Sequence, residues 1–110
     1  MSRKTYLGEF EQMVLLAILQ GGDDANALAI RRELEASANR TVTKGAFYTT
    51  LDRLEKKRFL TWTARPRGEN GAGLPQRHFR VTPEGVDQLR HSREALTKLW
   101  RGLDEVLDTP

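Results

Sequence analysis

Apolar residues recur at helical spacing near the start of the chain. The repeating positions are Phe10, Met13, Val14, Ala17 and Ile18. Spacings of three and four residues place side chains on one face of a helix, so we expect a first helix that ends at Gly21-Gly22. Leu15 and Leu16 make this helix apolar on more than one side, which predicts that it is sandwiched, partly against a second subunit.

A second helical pattern follows Asp23-Asp24, whose carboxylates we expect to cap the helix and to favour its N-terminal dipole. Its apolar positions are Ala27, Ile30 and Leu34, and the pattern runs through Glu35. A polar connection over residues 37–42 then leads to a third helix.

The third pattern, over residues 43–60, has one apolar face and one polar face. The apolar positions are Phe47, Leu51 and Leu54, and the outward positions are Lys44, Tyr48, Thr49, Asp52 and Lys56. Thr43 or Thr41 is the expected N-cap, and Gly45 in the first turn allows another backbone to approach closely. Two helices joined by a short polar segment predict a helix-turn-helix whose second helix reads DNA. Taken alone, this stretch also fits an ordinary amphipathic surface helix.

The periodicity then changes from helical to alternating, which predicts two strands. Leu60, Trp62 and Ala64 alternate with Thr61, Thr63 and Arg65, and a second alternation runs over residues 76–81. Glycines and prolines between residues 66 and 75 indicate a loop, so the strands form a hairpin. A hairpin after a helix-turn-helix is a wing. Arg65, Arg67 and Arg77 lie about its tip and stems, from which cations reach phosphates or the minor groove.

The final pattern predicts one long helix that begins at Thr82-Pro83-Glu84 with a capping hydroxyl, a first-turn proline and a carboxylate. Its apolar seam consists of Val86, Leu89, Leu96, Trp100, Leu103 and Leu107. A small chain has little surface to cover such a seam, so we expect a dimer interface there; the alternative is that the helix folds back as intramolecular core. The fold class is therefore mainly α with a small β-hairpin. A winged helix-turn-helix over residues 1–82 and a dimerisation helix over residues 83–110 form one compact unit.

The distribution of charge supports a polyanionic partner. Residues 40–80 contain ten Lys and Arg against three Asp and Glu, whereas the segments on either side are each slightly acidic. This basic middle segment is the expected electrostatic footprint for DNA, although scattered solvated cations would give the same count. The chain has no cysteine, no apolar run long enough to span a bilayer and no signal-peptide pattern, so we expect a cytoplasmic protein.

Enzymatic chemistry is not expected. His78 and His91 lie far apart in sequence without metal-ligand spacing, and the chain has no glycine-rich phosphate loop or nucleophile motif. We therefore expect neither metal nor cofactor. The rival to DNA binding is a winged helix that serves as a protein-interaction module, with its basic surface directed at an acidic partner.

Two stretches carry a resemblance to a known family. Gly45-Ala46-Phe47-Tyr48, followed by Leu51, Arg53, Leu54 and Glu55, and the run from Arg77 to Gly85 resemble motifs of the PadR family of winged-helix transcriptional regulators. The resemblance covers nearly the whole chain and fits the short subgroup with a single helix after the wing. It implies a homodimer on a palindromic DNA operator, usually a repressor relieved by a small ligand. The candidate DNA-binding residues are Lys44, Gly45, Tyr48, Thr49, Arg53, Arg65, Arg67 and Arg77.

Two positions depart from the pattern of the family. Asn26-Ala27 stands where a tyrosine-glycine pair is common, which alters a packing or phosphate contact. Lys57-Arg58 stands where a glycine usually ends the recognition helix, which we expect to make the helix end less sharp.

Aromatic residues near the expected dimer seam suggest where an effector would bind. Phe10 on the first helix and Trp100 on the last are candidates to line a pocket for a small apolar or aromatic molecule. The alternative is that Trp100 is interface core.

Overall fold

The computed structural model describes residues 6–66 and 74–110, which form a mainly helical fold with an antiparallel hairpin. This is the expected fold class. The elements in chain order are α1 (Glu9–Gly21), a short 3₁₀ turn (Gly22–Asp24), α2 (Ala27–Ala38), α3 (Lys44–Lys56), β1 (Leu60–Arg65), β2 (Gln76–Val81), α4 (Pro83–Trp100) and α5 (Asp104–Asp108). Within the described ranges, no helix is both long and apolar enough to cross a membrane.

Helix α1 runs through the middle of the core. Its residues Val14, Leu15 and Ile18 are buried with Phe47 and Leu54 of α3. Leu16 and Leu19 remain about half exposed on the opposite side of α1. The helix is therefore apolar on two sides, as its sequence indicated, and one of those sides is open in the monomer.

The N-terminus of α2 corrects one expectation. The side chain of Asn26, not Asp23 or Asp24, caps the helix by accepting a hydrogen bond from the Ala29 N–H at 2.9 Å. The two aspartates belong to the preceding 3₁₀ turn, one turn too early to reach the unpaired N–H groups of α2. The departure from the family pattern at Asn26 thus supplies a standard helix cap.

Helix α3 begins at the expected cap and ends more sharply than expected. Thr43 accepts a hydrogen bond from the Ala46 N–H at 3.2 Å. At the other end Arg58 adopts the left-handed conformation, with φ 66°. Its N–H donates to Glu55 O at 2.9 Å, and the Phe59 N–H donates to Leu54 O at 3.0 Å.

These two bonds form a Schellman motif, the arrangement with which glycine commonly ends a helix. The expectation of a blurred helix end at Arg58 was therefore wrong. The arginine takes the conformation of the missing glycine, although a Cβ makes that conformation more costly.

The two strands pair as the antiparallel hairpin that the alternation predicted. Leu60 pairs with Val81, Trp62 with Phe79 and Arg65 with Gln76. Phe79 is buried against the helices, and its N–H donates to Ala25 O at 2.9 Å on the outer edge of β2. The segment before α2 thus holds the hairpin against the body of the fold.

Helix α4 starts where expected, with Thr82 accepting a hydrogen bond from the Gly85 N–H at 3.0 Å. His91 on this helix is half-buried. Its ring stacks on Tyr6 with centroids 4.8 Å apart. Tyr6, which precedes α1, thus covers the His91 ring, and helical periodicity alone does not reveal this contact.

The expected continuous helix to Leu107 is interrupted. Helix α4 ends at Trp100, Gly102 adopts φ 75°, and α5 begins at Asp104. Glycine takes positive φ at little cost, and the acidic first turn of α5 suits a new helix N-terminus. The apolar residues keep their three-and-four spacing across the break, so the sequence pattern did not reveal the break.

Candidate nucleic-acid interface

The outward face of α3 is polar and accessible. Lys44, Gly45, Thr49 and Arg53 are exposed, and Tyr48 is half-buried with its ring edge-on to Phe47 at 5.4 Å. Phe47 itself is fully buried and fixes the helix to the core. The outward side chains therefore project from a helix whose opposite face is anchored.

Gly45 faces open space at the start of α3. No heavy atom of the described residues lies within 4 Å of the position that a Cβ would occupy there, apart from its own neighbours in the helix. The fold itself therefore does not require glycine at this position. A glycine there leaves the N-terminus of α3 open to close approach by another backbone.

A surface depression of about 650 Å³ lies where α2, α3 and β2 meet. Of the sequence candidates it brings together Lys44, Tyr48 and Arg77. Asn26, which the sequence marked as altering a packing or phosphate contact, also lines it. Arg31 lines it too, and sequence reasoning missed Arg31 because its position depends on how α2 packs. The N-termini of α2 and α3 both reach this depression. Since helix N-termini and cations favour negative charge, the depression is suited to a phosphate group.

The hairpin directs its arginines to two different sides. Arg77 faces the depression, whereas Arg65 donates a hydrogen bond to the backbone oxygen of Asp23 at 3.0 Å. His78 Nδ1 lies 2.9 Å from the same oxygen, and Arg80 contacts the Asp23 carboxylate at 3.3 Å. Asp23 thus ties the outer face of the hairpin to the 3₁₀ turn. Arg67, the third arginine predicted for the wing, lies outside the described residues.

Arg77 is also held on its own face of the hairpin. Its guanidinium carbon lies 4.3 Å from the centre of the Trp62 ring, within the range of a cation–π contact. The Trp62 Nε1–H donates to Glu55 Oε2 of α3 at 3.0 Å. The tryptophan therefore connects α3 to the hairpin arginine.

The C-terminal end of α3 is fixed to α1 by an ion pair. Lys57 Nζ lies 3.0 Å from Glu11 Oε2, and the Gly8 N–H donates to Glu11 Oε1 at 3.1 Å. Burial acts to raise the pKa of Glu11, but the hydrogen bonds from Lys57 and Gly8, with the charges of Lys57 and Arg53, outweigh it. The net effect is a lowered pKa. The carboxylate is therefore a charged anchor that helps to orient α3.

An apolar groove of about 400 Å³ runs between α1 and α4, lined by hydrophobic side chains from both helices. They are Leu16, Leu19, Val86, Leu89, Leu96 and Trp100. Leu103 and Leu107, the last two members of the expected seam, are exposed beyond the helix break. Phe10 lies elsewhere, with the Arg40 guanidinium 5.2 Å from its ring centre. The structure thus places Trp100 in the groove and does not bring Phe10 to it.

The described residues, 6–66 and 74–110, contain no cluster of three or more His, Asp or Glu arranged to hold a metal ion.

A helix-turn-helix with a following two-stranded wing, and cations on the exposed face of its second helix, define a winged helix-turn-helix protein. The profile of the transcriptional regulator PadR-like family matches residues 15–91. The chain belongs to the PadR-like family of transcriptional regulators. It is accordingly a DNA-binding transcriptional regulator and not an enzyme.

Solved structures of similar fold include three such regulators. A PadR-like transcription factor from Bacteroides fragilis is 23% identical, with 88% of each chain covered and a TM-score of 0.69. A PadR-like transcriptional regulator from Bacillus cereus is 18% identical, with 92% of this chain and 93% of that chain covered and a TM-score of 0.70. A PadR family regulator from Eggerthella lenta is 25% identical, with 93% and 88% covered and a TM-score of 0.63. A search of curated protein sequences gave no significant match.

Proposed function

We propose that this regulator binds double-stranded DNA with the exposed face of α3 in the major groove and with its hairpin on the neighbouring backbone. The observation that carries this proposal is the depression in which Lys44, Tyr48 and Arg77 meet the N-termini of α2 and α3. A phosphate seated there would fix the position of α3 in the groove. Phosphate contacts set orientation, and base contacts choose the sequence.

Sequence specificity is assigned to the exposed side chains of α3. In this proposal the methyl group of Thr49 contacts thymine, whereas Lys44, which lines the depression, contacts the phosphate. Arg53 on the next turn, and Arg65 and Arg67 of the wing, supply phosphate contacts in this proposal. Gly45 lets the DNA backbone come close to the helix N-terminus.

We propose further that two copies bind one palindromic operator. The support is the apolar groove between α1 and α4, in which Leu96 and Trp100 are exposed; Leu99 of the same helix is exposed as well. Large apolar side chains clustered on a surface indicate an interface, and a two-fold dimer uses the same surface on both subunits. In this proposal residues 1–82 form the DNA-binding part, and the chain from residue 83 onward supplies most of the interface, together with α1.

The proposed regulatory role is repression relieved by a small apolar or aromatic effector. Trp100 and the aliphatic side chains around it offer a site for a flat apolar molecule beside the dimer seam. Tryptophan emission quenched by an aromatic compound in the wild type, and not in Trp100→Leu, supports this site. Equal quenching in both proteins contradicts it, because Trp62 would then be the reporter.

The test of the DNA interface is a fluorescence anisotropy titration against the region upstream of the coding sequence of this protein. Each Lys or Arg that neutralises a phosphate contributes about 0.9 to the slope of log affinity against log salt. Lys44→Ala and Tyr48→Phe are expected to weaken binding, and Lys44→Ala also to reduce the slope, because Lys44 lines the depression assigned to a phosphate. If both variants bind like wild type with the same slope, α3 is not the recognition helix.

The dimer is tested by analytical ultracentrifugation of two variants at matched leucines. Leu16 in the groove and Leu28 on α2 are 49% and 52% exposed. Leu16→Glu is expected to give monomers, whereas Leu28→Glu remains dimeric. A wild-type monomer that ignores DNA would instead favour a protein-interaction module.

A further inference from the structure

Trp62 is half-buried at the junction between α3 and the hairpin, and both its polar atom and its ring face are engaged. The indole N–H donates to the exposed carboxylate of Glu55 at 3.0 Å. A single hydrogen bond between the last turns of α3 and strand β1 restricts rotation of the indole ring. The orientation of the ring is therefore set from the recognition helix.

The oriented ring in turn holds Arg77. In the hairpin register Trp62 pairs with Phe79, so Arg77 is its diagonal neighbour on the same face. The guanidinium carbon lies 4.3 Å from the ring centre, while the arginine itself is exposed and lines the depression with Lys44 and Tyr48. Stacking leaves the N–H groups at the edge of the guanidinium plane free to donate to an acceptor.

This arrangement removes a cost that a free arginine would pay on binding. An unrestrained arginine on a strand samples many rotamers and loses that freedom when it contacts a phosphate. Holding it beforehand improves affinity without adding a contact to the ligand. The gain in affinity arises because the guanidinium of Arg77 is held where it can donate to the same phosphate that Lys44 and Tyr48 approach.

We propose that Trp62 is a positioning residue for DNA binding: fixed by Glu55, it holds the guanidinium of Arg77 ready for a backbone phosphate at the depression shared with Lys44 and Tyr48. The proposal rests on the DNA interface proposed above and adds the coupling between recognition helix and wing. Trp62 itself contacts no DNA in this account.

The test is a double-mutant cycle of Trp62→Leu and Arg77→Ala in the full chain, measured by anisotropy on the same upstream duplex over a range of salt concentrations. Arg77→Ala is expected to reduce the salt slope by about 1, since it removes a phosphate contact. Trp62→Leu is expected to weaken binding about three- to tenfold, the cost of immobilising one flexible side chain. It leaves the slope unchanged, because Arg77 still reaches the phosphate.

In the Arg77→Ala background, Trp62→Leu is expected to cause little further loss. Equal losses in both backgrounds, or tighter binding by Trp62→Leu, would overturn the proposal. A lower melting temperature and a reduced salt slope in Trp62→Leu would also overturn it, because disorder of the hairpin would then explain the weaker binding.

Two conservative variants test separately the ring face of Trp62 and its hydrogen bond to Glu55. Trp62→Phe keeps a ring face for Arg77 without the N–H and is expected to bind between wild type and Trp62→Leu. Glu55→Gln keeps an acceptor oxygen for the indole N–H. Its affinity for the duplex is therefore expected to equal that of Trp62→Phe within about twofold, or to exceed it. Thr63→Val, on the opposite face of β1, is the matched control and should bind like wild type.

Lys44→Ala, measured in parallel, distinguishes failure of this proposal from failure of the interface. If Lys44→Ala weakens binding and Trp62→Leu does not, the positioning role of Trp62 is wrong and the interface stands. If neither variant changes binding, the interface is wrong and the positioning role falls with it.

Discussion

The hydroxyl of Thr82 donates a hydrogen bond to the backbone oxygen of Arg58 at 2.7 Å, and the same hydroxyl accepts one from the Gly85 N–H at 3.0 Å. Arg58 lies two residues after the end of α3, and Thr82 caps α4. One side chain therefore joins the end of α3, the proposed recognition helix, to the start of the helix that we propose for dimerisation. A rigid connection at this point would fix the distance between two recognition helices across a dimer.

Replacing Thr82 with alanine removes both hydrogen bonds. Loss of a helix N-cap costs about 1 kcal/mol, and the unpaired Arg58 oxygen adds to it. We expect Thr82→Ala to lower the free energy of unfolding by about 1–2 kcal/mol in urea denaturation. Thr82→Ser keeps the hydroxyl and should stay close to wild type; an equal loss in both variants would mean that the hydrogen bonds are not the cause.

Two glycines in first turns of helices are expected to respond to alanine in opposite directions. A Cβ at Gly85 would overlap the carbonyl oxygen of Phe59, a backbone atom that cannot move aside easily. Gly85→Ala should therefore lower the free energy of unfolding by about 3 kcal/mol. Gly45→Ala meets no described atom within 4 Å and should raise it by up to about 1 kcal/mol through helix propensity.

Gly45→Ala is nevertheless expected to weaken DNA binding, because the added methyl group occupies the surface assigned to the approaching backbone. Thermal unfolding and anisotropy on the same sample report the two effects separately. A Gly45→Ala protein that is more stable and binds DNA as tightly as wild type would show that no backbone comes close there.

The left-handed conformation of Arg58 predicts a stabilising substitution. A non-glycine residue pays about 1–2 kcal/mol in this region, which exceeds the entropy that a glycine loses on folding. We expect Arg58→Gly to raise the free energy of unfolding by up to about 1 kcal/mol. Arg58→Ala keeps the strain while it removes the cation, so it should show no such gain in the same urea titration.

The ion pair of Glu11 with Lys57 predicts a pH dependence of stability. Because the folded-state pKa of Glu11 is lowered, its carboxylate stabilises the fold at a pH above its unfolded value, near 4.5. That contribution is lost as the pH falls through the lowered folded-state pKa. We expect Glu11→Gln to be less stable than wild type by about 1 kcal/mol at neutral pH.

The difference in free energy of unfolding between Glu11→Gln and wild type should shrink as the pH falls through the lowered folded-state pKa of Glu11. Urea titrations of both proteins at several pH values measure it. A difference that is independent of pH would show that the charge of Glu11 does not contribute.

Much of this fold was accessible from the sequence because its elements follow local rules. Buried residues such as Phe47 and Leu51 repeat at helical spacing. The alternation around Trp62 predicted a strand that pairs with a second strand as a hairpin. Thr43 and Thr82 cap the helices that they precede in sequence. In each case the signal and the structure lie within a few residues of each other.

The errors arose where distant segments meet or where a break preserves periodicity. The role of Asp23 depends on the hairpin that folds back over it, and nothing beside it in sequence indicates that contact. Gly102 interrupts the last helix without disturbing the spacing of the leucines around it. The contacts from Glu55 through Trp62 to Arg77 could not be predicted either, because they join residues of three different elements, α3, β1 and β2.

We propose that two copies of α3, presented by a symmetric dimer, read DNA. Hydroxyl-radical footprinting of the wild type and Lys44→Ala on the DNA upstream of the coding sequence tests it most directly. We expect the wild type to protect a region with two-fold symmetry, and Lys44→Ala to lose this protection at the same protein concentration. An unprotected duplex, or the same footprint from both proteins, would contradict the account.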